Sequence, residues 1–246
     1  MKDIKTRTAL VTGASRGIGA AIAERLAADG FNLVVNYASS EAAALKVVDK
    51  IGSAGGRAIA VQANLSDVSA TKRLFDAAEA EFGGVDVLVN NAGIMKLAPL
   101  SQTDDALFDS QVATNFKGTF NALREAANRL RNGGTIVNLS TSVVGLKLET
   151  YGIYAATKAG VETMTAILAK ELRGRQITVN AVAPGPTATQ LFLNGKPQEI
   201  VDRMSKMAPL ERLGTPEDIA NVIAFLTGPD GAWVNGQTLR ANGGII

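Results

Sequence analysis

The residues with the clearest potential for chemistry are Tyr154 and Lys158, in the segment YGIYAATK. Side chains four positions apart share one face of a helix, and we predict a helix that continues to about Leu172. An ammonium beside a phenol favours the phenolate and is expected to lower the tyrosine pKa from about 10. The pair is a candidate proton donor. The alternative, a tyrosine packed in the core with a solvated lysine, has to be judged from the rest of the chain.

The amino-acid composition excludes several kinds of catalytic and metal site. The 246 residues include no histidine and no cysteine, which excludes disulfides, thiolate nucleophiles, Ser-His-Asp triads and the usual zinc sites. Acid–base work therefore falls to Tyr, Lys, Asp or Glu, and no metal site is predicted. A net charge of +2, with acidic and basic residues interspersed, predicts no nucleic-acid partner. Apolar runs are short and residues 1–7 lack a secretion signal, so we expect a cytoplasmic protein without membrane contact.

A glycine-rich turn lies between a predicted strand and a predicted helix. The apolar run 8–12 ends at Gly13, and an apolar helical pattern begins at Ile18. Glycines in the segment 13–19 permit a tight bend, and the free N–H groups of the helix N-terminus favour a pyrophosphate. An ordinary strand–helix turn is the alternative. The strand predicted next, at 32–37, favours the phosphate site.

Strands and helices alternate along the chain. Further strands are predicted at 57–62, 85–89, 134–139, 177–182 and 237–241, and helices at 40–51, 67–82, 104–130 (interrupted near Asn115) and 215–226. This order predicts one α/β domain over residues 1–246, a Rossmann fold whose doubly wound seven-stranded parallel sheet carries helices on both faces.

Ligands of such sheets bind beyond the carboxyl ends of the strands. Polar residues at those predicted ends are Asn36, Asn64, Asn90, Ser140, Thr141, Ser142 and the segment 183–189. The segment 190–210 mixes Leu191, Phe192 and Met204 with polar residues, which favours a substrate lid, although apolar packing alone would look similar.

Taken together, these motifs resemble the short-chain dehydrogenase/reductase family over nearly the whole chain. The matching motifs are TGASRGIG (12–19), NNAG (90–93), Asn115, a serine after the fifth strand, Tyr154 with Lys158, Pro184-Gly185 with Thr189, and the closing NGG (242–244). Within the family, the chain looks most similar to 3-oxoacyl-[acyl-carrier-protein] reductases and trihydroxynaphthalene reductases, partly through VNYA (35–38).

The resemblance implies four catalytic residues: Asn115, Ser142, Tyr154 and Lys158. Tyr154 would protonate the substrate carbonyl, Lys158 would lower the tyrosine pKa and contact the nicotinamide ribose, and Asn115 would support a water chain. Ser142 would hydrogen-bond the carbonyl. It lies twelve positions before Tyr154, one fewer than in most of the family, so Ser140 and Thr141 remain competing hydroxyls.

The resemblance also implies a set of cofactor-binding residues. They are Gly13, Ser15, Arg16, Gly17, Ile18, Gly19, Asn36, Tyr37, Ala38, Ser39, Asn64, Leu65, Asn91, Ala92, Gly93, Tyr154, Lys158, Pro184, Gly185, Thr187 and Thr189. Asn64 stands where an aspartate is more usual.

The expected cofactor is NADP(H). NAD-preferring enzymes of this fold carry an acid after the second strand, where this chain has Asn36. The Arg16 guanidinium can bind a ribose 2′-phosphate, and Ser39 and Ser40 add hydroxyls nearby. The alternative is that Arg16 is a solvated surface residue and Asn36 a turn former.

The expected activity is reversible reduction of a carbonyl to a secondary alcohol. The substrate would be a small molecule, with a 3-oxoacyl thioester (carried on an acyl carrier), a cyclic ketone and a quinone as options. The assembly implied is a homotetramer. The alternative function is a non-catalytic NADP(H)-binding sensor or scaffold, which loss of the tyrosine or lysine would favour.

Overall fold

The computed structural model describes residues 6–246, so the expectation about the first residues of the chain lies mostly outside it. Seven parallel strands form one sheet in the order β3-β2-β1-β4-β5-β6-β7. The strands are β1 (Thr8–Val11), β2 (Asn32–Tyr37), β3 (Ala58–Gln62), β4 (Val87–Asn90), β5 (Thr135–Leu139), β6 (Thr178–Pro184) and β7 (Thr238–Ala241). The predicted fold class is confirmed, with strand boundaries shifted by at most two residues at either end.

Ten α-helices within residues 6–246 connect or flank these strands. They are α1 (Gly17–Ala28), α2 (Glu41–Ser53), α3 (Val68–Phe82), α4 (Asp105–Gln111), α5 (Gly118–Arg129), α6 (Val143–Leu146), α7 (Gly152–Glu171), α8 (Gln190–Leu193), α9 (Gln198–Met207) and α10 (Pro216–Thr227). A π-helical turn, Val112–Lys117, joins α4 to α5, and 3₁₀ turns lie at Leu100–Gln102 and Pro229–Gly231. The predicted interruption near Asn115 is this π-helical turn.

Local sequence explains where several helices begin. The Asp67 carboxylate accepts hydrogen bonds from Ser69 N and Ala70 N and so caps α3. At α10, Thr215 and Asp218 form a reciprocal capping box around Pro216 at the first helical position, as the sequence predicts.

Two hydrophobic layers cover the faces of the sheet. In β1, Ala9 and Val11 pack with residues of α1, α2 and α10, whereas Leu10 packs on the opposite side with residues of α3, α5 and α7. Because both faces are covered, the strands are apolar without alternation, as in other parallel sheets. Polar groups instead meet at the edge of the sheet that is formed by the carboxyl ends of the strands. No helix of residues 6–246 has the length and apolar character needed to span a bilayer.

Candidate active site

The turn between β1 and α1 is shaped by two glycines with left-handed backbones. Gly13 has a φ of 60° and Gly17 a φ of 57°, a region that favours glycine. A Cβ atom at Gly13 would lie 2.8 Å from the Ala92 Cα atom. The turn therefore passes close to the 90–93 loop, and α1 begins directly after it with N–H groups free to bind an anion.

Asn91 braces this turn from the neighbouring loop. Its amide nitrogen donates to the carbonyl oxygens of Thr12 (2.9 Å) and Gly13 (3.0 Å). The backbone N–H groups of Asn91 and Ala92 both donate to the Thr12 hydroxyl oxygen. A Cβ atom at Gly19 would lie 2.4 Å from the Asn91 amide nitrogen. These contacts hold the two predicted cofactor-binding segments together at the edge of the sheet.

Asn36 has a different position from the one expected for a ribose-binding residue. Its side chain is buried, with 2 % of its surface exposed. Its Oδ1 accepts from Gly13 N, and its Nδ2 donates to the carbonyl oxygens of Tyr37, Val61 and Ala63. The sequence interpretation of Asn36 as the residue facing the ribose was wrong because its amide satisfies backbone groups between β1, β2 and β3 instead.

Ala38 and Ser39, which directly follow β2, are exposed, whereas Tyr37 is buried. Arg16 is exposed as well, in the turn whose Ala14 N donates to Asn36 O. Arg16 is the N-cap residue of α1, and its guanidinium takes part in none of the ion pairs within residues 6–246. A guanidinium at a helix N-terminus suits a phosphate group. The predicted role of Arg16 is therefore compatible with the structure.

Asn64 and Leu65 follow β3 at the same edge. The Asn64 Oδ1 atom accepts from the backbone N–H and the hydroxyl of Ser66, which closes a local turn. The buried Leu65 carbonyl oxygen accepts from Asn121 Nδ2 and the Thr71 hydroxyl. Both residues thus anchor the loop, and Asn64 stays exposed beside the cofactor-binding segments.

Asn115 is fully buried within the π-helical turn. Its side chain accepts from Ile94 N at 2.8 Å and donates to Ile94 O at 2.9 Å. The same amide nitrogen reaches the Thr157 hydroxyl on α7 at 3.4 Å. Asn115 therefore fixes the loop after Gly93 against the helix that carries Tyr154. π-Helical turns often occur at functional sites.

Tyr154 and Lys158 lie one turn apart on α7, as predicted. The Lys158 ammonium is buried and donates to Leu139 O at 2.7 Å. Burial lowers the pKa of Lys158 to about 8. Burial also raises the pKa of Tyr154 to about 12, although hydrogen bonding with Thr141 opposes this shift. The expected lowering of the tyrosine pKa was wrong for the protein without cofactor, since desolvation disfavours both charged forms.

Three consecutive hydroxyls follow β5, and they point in different directions. Ser140 donates to a Glu162 carboxylate oxygen on α7. Ser142 donates to Ala183 O at 3.2 Å and accepts from Asn242 Nδ2 at 3.0 Å. The Thr141 hydroxyl oxygen accepts from Val143 N at 3.3 Å, and its effect on Tyr154 is to oppose the rise of the phenol pKa that burial causes.

Ser142, the residue that the sequence interpretation favoured, lines the same cavity as Thr141 and Tyr154, so its catalytic role stays a prediction. Its two hydrogen bonds orient the Ser142 side chain toward β6 and the C-terminal segment. Thr141 lies thirteen positions before Tyr154, the spacing expected for most of the family, and remains the competing hydroxyl.

One cavity of about 140 Å³ brings the two predicted sets of residues together. Its lining from the predicted sets consists of Ile18, Asn91, Gly93, Ser142, Tyr154, Lys158, Pro184, Gly185, Thr187 and Thr189. Residues that the sequence interpretation did not assign to the site also line it, namely Met95, Leu139, Val143, Leu146, Leu148 and Tyr151. These apolar residues have no distinctive motif in the sequence.

The segment after β6 closes this cavity on one side. Thr187 donates to Gly185 O, and Thr189 caps the short helix α8 by accepting from Phe192 N. A Cβ atom at Gly185 would lie 2.8 Å from the Asn242 Cα atom, so the C-terminal segment packs directly against it. Leu191, Phe192 and Met204 add apolar surface from α8 and α9.

Comparisons with known proteins agree with this geometry. A family model described as enoyl-(acyl carrier protein) reductase matches residues 13–246. A short-chain type dehydrogenase/reductase from Picea abies is 46 % identical, covering 98 % of this chain and 92 % of that protein. An NADPH-dependent aldehyde reductase-like protein, chloroplastic, from Arabidopsis thaliana is 45 % identical over 98 % of this chain and 94 % of its own length. The crystal structure of a short-chain dehydrogenase from Burkholderia cenocepacia J2315 in complex with NADP is 38 % identical, with a TM-score of 0.92 and 97 % of each chain covered.

The chain belongs to the short-chain dehydrogenase/reductase family. It is an NADP(H)-dependent oxidoreductase that acts in carbonyl reduction. The structure fits this cofactor: the left-handed backbone at Gly13 and Gly17 forms a tight turn, α1 offers free N–H groups, and Arg16 supplies a cation. The predicted residues of the 90–93 and 184–189 segments line the adjoining cavity.

Proposed function

We propose that the enzyme reduces neutral ketones and aldehydes to alcohols, reversibly, with Tyr154 as the proton donor. The observation that carries this proposal is that Tyr154, Lys158 and the hydroxyl residues Thr141 and Ser142 line one mostly apolar cavity. Among the described residues that line the cavity, Lys158 alone has a charged side chain. A substrate with a carboxylate or ammonium group would have no other charged partner there.

Tyr154 has the protonation state that this role needs. Because burial raises the pKa of its phenol to about 12, the hydroxyl is intact at neutral pH and can donate to a carbonyl oxygen. NADPH, when bound, supplies the hydride to the carbonyl carbon. As the O–H bond of Tyr154 breaks, the Lys158 ammonium one turn away stabilises the phenolate that remains. Lys158 and the polar groups around Asn115 provide the route by which a proton returns.

Thr141 is proposed to stabilise the negative charge that develops on the carbonyl oxygen. A hydroxyl already oriented toward the reacting oxygen costs little reorganisation in the transition state. Ser142 instead holds the loop in place through Ala183 and Asn242. This assignment replaces the role that the family resemblance implies for Ser142.

The polarity of the cavity favours neutral substrates, because most of its lining side chains are apolar. Aldehyde reduction, the activity in the printed name of the Arabidopsis relative, is the first candidate. Reduction of a 3-oxoacyl thioester, a cyclic ketone or a quinone is the second, since the chain resembles 3-oxoacyl-[acyl-carrier-protein] reductases and, through VNYA (35–38) and Ala63-Asn64, trihydroxynaphthalene reductases.

The segment 190–210 is proposed to act as the substrate lid. Phe192 and Met204 contribute to the cavity from α8 and α9, whereas Leu193, on the same short helix as Phe192, does not. Phe192→Ala and Met204→Ala should reorder the substrates by kcat/KM, and Leu193→Ala is the matched control. An unchanged ranking in the Phe192 and Met204 variants would show that these two residues serve packing and not substrate selection.

A homotetramer in the cytoplasm is the proposed assembly and location. Two separate faces expose large apolar side chains: Phe108, Phe116, Phe120 and Ile167 on α4, the π-helical turn, α5 and α7, and Phe225 with Trp233 near α10 and β7. Exposed apolar surface of this kind is typical of subunit interfaces. Light scattering at micromolar concentration should give four times the chain mass of 25.5 kDa; a monomer mass would reject the assembly.

The proposed function is tested with a carbonyl panel followed by NADPH absorbance. The panel contains aliphatic and aromatic aldehydes, simple ketones, diketones, quinones, acetoacetyl thioesters and a 2-oxo acid. We expect the neutral compounds to be reduced and the 2-oxo acid to be the poorest substrate. Preferential reduction of the 2-oxo acid would contradict the proposed substrate class.

A further inference from the structure

A second tyrosine borders the same cavity as the candidate proton donor. Tyr151 directly precedes α7, three positions before Tyr154, and both line the cavity. The two rings meet edge to face, with centroids 6.4 Å apart and an angle of 63° between their planes. Two phenol side chains therefore border the same small cavity.

None of the side-chain hydrogen bonds within residues 6–246 involves the Tyr151 hydroxyl, and this atom is not among the fully buried polar atoms, although only 8 % of the residue is exposed. Three other hydroxyls of the lining have protein partners: Ser140 bonds to Glu162, Ser142 to Ala183 and Asn242, and Thr187 to Gly185. The Tyr151 hydroxyl is therefore a donor that is open to a molecule bound in the cavity.

The chemistry of Tyr151 limits what that ligand atom can be. Burial raises the pKa of Tyr151, so its hydroxyl is protonated at neutral pH and available as a donor. The partner is accordingly an acceptor. Because Lys158 is the one charged side chain among the described lining residues, a neutral oxygen fits better than a carboxylate.

We propose that Tyr151 donates a hydrogen bond to a second oxygen of the substrate, so that the enzyme favours carbonyl compounds with a neighbouring carbonyl or hydroxyl oxygen. This inference rests on the proposed reduction of neutral carbonyl compounds. Tyr154 and Thr141 bind the reacting oxygen, and Tyr151 binds the second one. Vicinal and 1,3-dicarbonyl compounds and hydroxy ketones are the substrate class that meets both requirements.

The test compares 2,3-pentanedione with pentanal, which has one oxygen and the same number of carbon atoms. Tyr151→Phe removes the donor and keeps the ring that packs on Tyr154. The ratio of kcat/KM for the dione to that for pentanal should fall about tenfold, mainly through a higher KM for the dione, which corresponds to about 1.4 kcal/mol. Leu148→Ala is the comparison, since it changes the wall of the same cavity without removing a hydroxyl; its ratio should fall by clearly less than the ratio in Tyr151→Phe.

The outcomes separate this inference from the function on which it rests. A wild-type enzyme that reduces both compounds, with the same ratio in Tyr151→Phe, overturns the role of Tyr151 and leaves carbonyl reduction intact. A wild-type enzyme that reduces neither compound overturns both. An equal fall of the ratio in Leu148→Ala also contradicts the role of Tyr151, because the shape of the wall would then explain the preference.

Discussion

The glycine turn and helix α7 lie at the same edge of the sheet, but they use polar side chains in opposite ways. Around the turn, Asn36 and Asn91 direct their amides at backbone groups and so define the path of the chain. On α7, Tyr154 and Lys158 are titratable groups whose burial shifts their pKa values in opposite directions. The glycine turn thus forms a binding site from backbone groups, whereas α7 holds two titratable side chains in a desolvated environment.

This difference predicts how each region responds to substitution. In the glycine turn, backbone N–H groups and glycines form the cofactor site, so side-chain substitutions affect cofactor binding by changing the shape of the turn or the stability of the fold. On α7, catalysis depends on single oxygen or nitrogen atoms, so substitutions that preserve the shape of a side chain can still remove activity. The predictions below separate the two kinds of response, beginning with the largest expected effect.

Tyr154→Phe removes one oxygen atom from the reaction region and leaves the ring in place. We expect kcat to fall at least about 1,000-fold, since a positioned general acid contributes roughly 10²–10⁴ in rate. NADPH affinity, measured by fluorescence titration, should change by less than about threefold. Residual activity above a few per cent would show that Tyr154 is not the proton donor and would make Tyr151 the next candidate.

Lys158→Met tests the burial of the ammonium through the pH dependence of stability. A native pKa of about 8, below the ordinary 10.5, means that the unfolded chain binds more protons between these two values. The cost of the buried charge is therefore fully present below pH 8 and fades as the pH rises toward 10.5. It amounts to about 3 kcal/mol.

Denaturant unfolding of the cofactor-free protein at pH 7 and pH 10 measures this difference. The stability gain of Lys158→Met over wild type should be larger at pH 7, by an amount approaching that cost. Packing changes caused by methionine are the same at both pH values and cancel. Tyr154 and Tyr151 both have raised pKa values and stay largely neutral over the range, and Glu162 on the next turn of α7 bonds to Ser140. A gain that does not depend on pH would contradict the assignment.

Thr141→Val and Ser142→Ala distinguish the two hydroxyls after β5. Valine matches threonine in shape, so Thr141→Val removes the hydroxyl, together with the hydrogen bond that it accepts from Val143 N. We expect kcat to fall about 100-fold, the lower end of the range for losing one donor to a developing oxyanion. Ser142→Ala should cost less than about tenfold. The reverse order in steady-state kinetics would restore the role first expected for Ser142.

Arg16→Ala should have the smallest effect, a loss of about tenfold in the preference for NADPH over NADH in kcat/KM. The comparison is Asn36→Asp, which places an acid at the position where NAD-preferring enzymes of this fold carry one. Because the Asn36 amide nitrogen donates to three carbonyl oxygens, a carboxylate there should lower stability and leave the cofactor ratio near its wild-type value. A reversed ratio in Asn36→Asp alone would show that the residue does face the ribose.

The sequence alone determined the fold and the pairing of Tyr154 with Lys158. Strands covered on both faces must be apolar throughout, as at residues 8–11 and 33–35, so strand order along the chain was readable. A spacing of four on a helix fixes a shared face whatever surrounds it. Cofactor class followed from the same local signals, because a glycine turn before a helix has one common use in this fold.

Only the tertiary structure decided which partners Ser140 and Ser142 bond to, where the Asn36 amide points, and which way the tyrosine pKa shifts. Ser140, Thr141 and Ser142 are consecutive, and their directions depend on Glu162, Ala183 and Asn242, which are distant in the sequence. The pKa values depend on how completely the cavity excludes water, which is a property of the packed whole. Local spacing places groups near one another, but burial and partners from other elements set their chemistry.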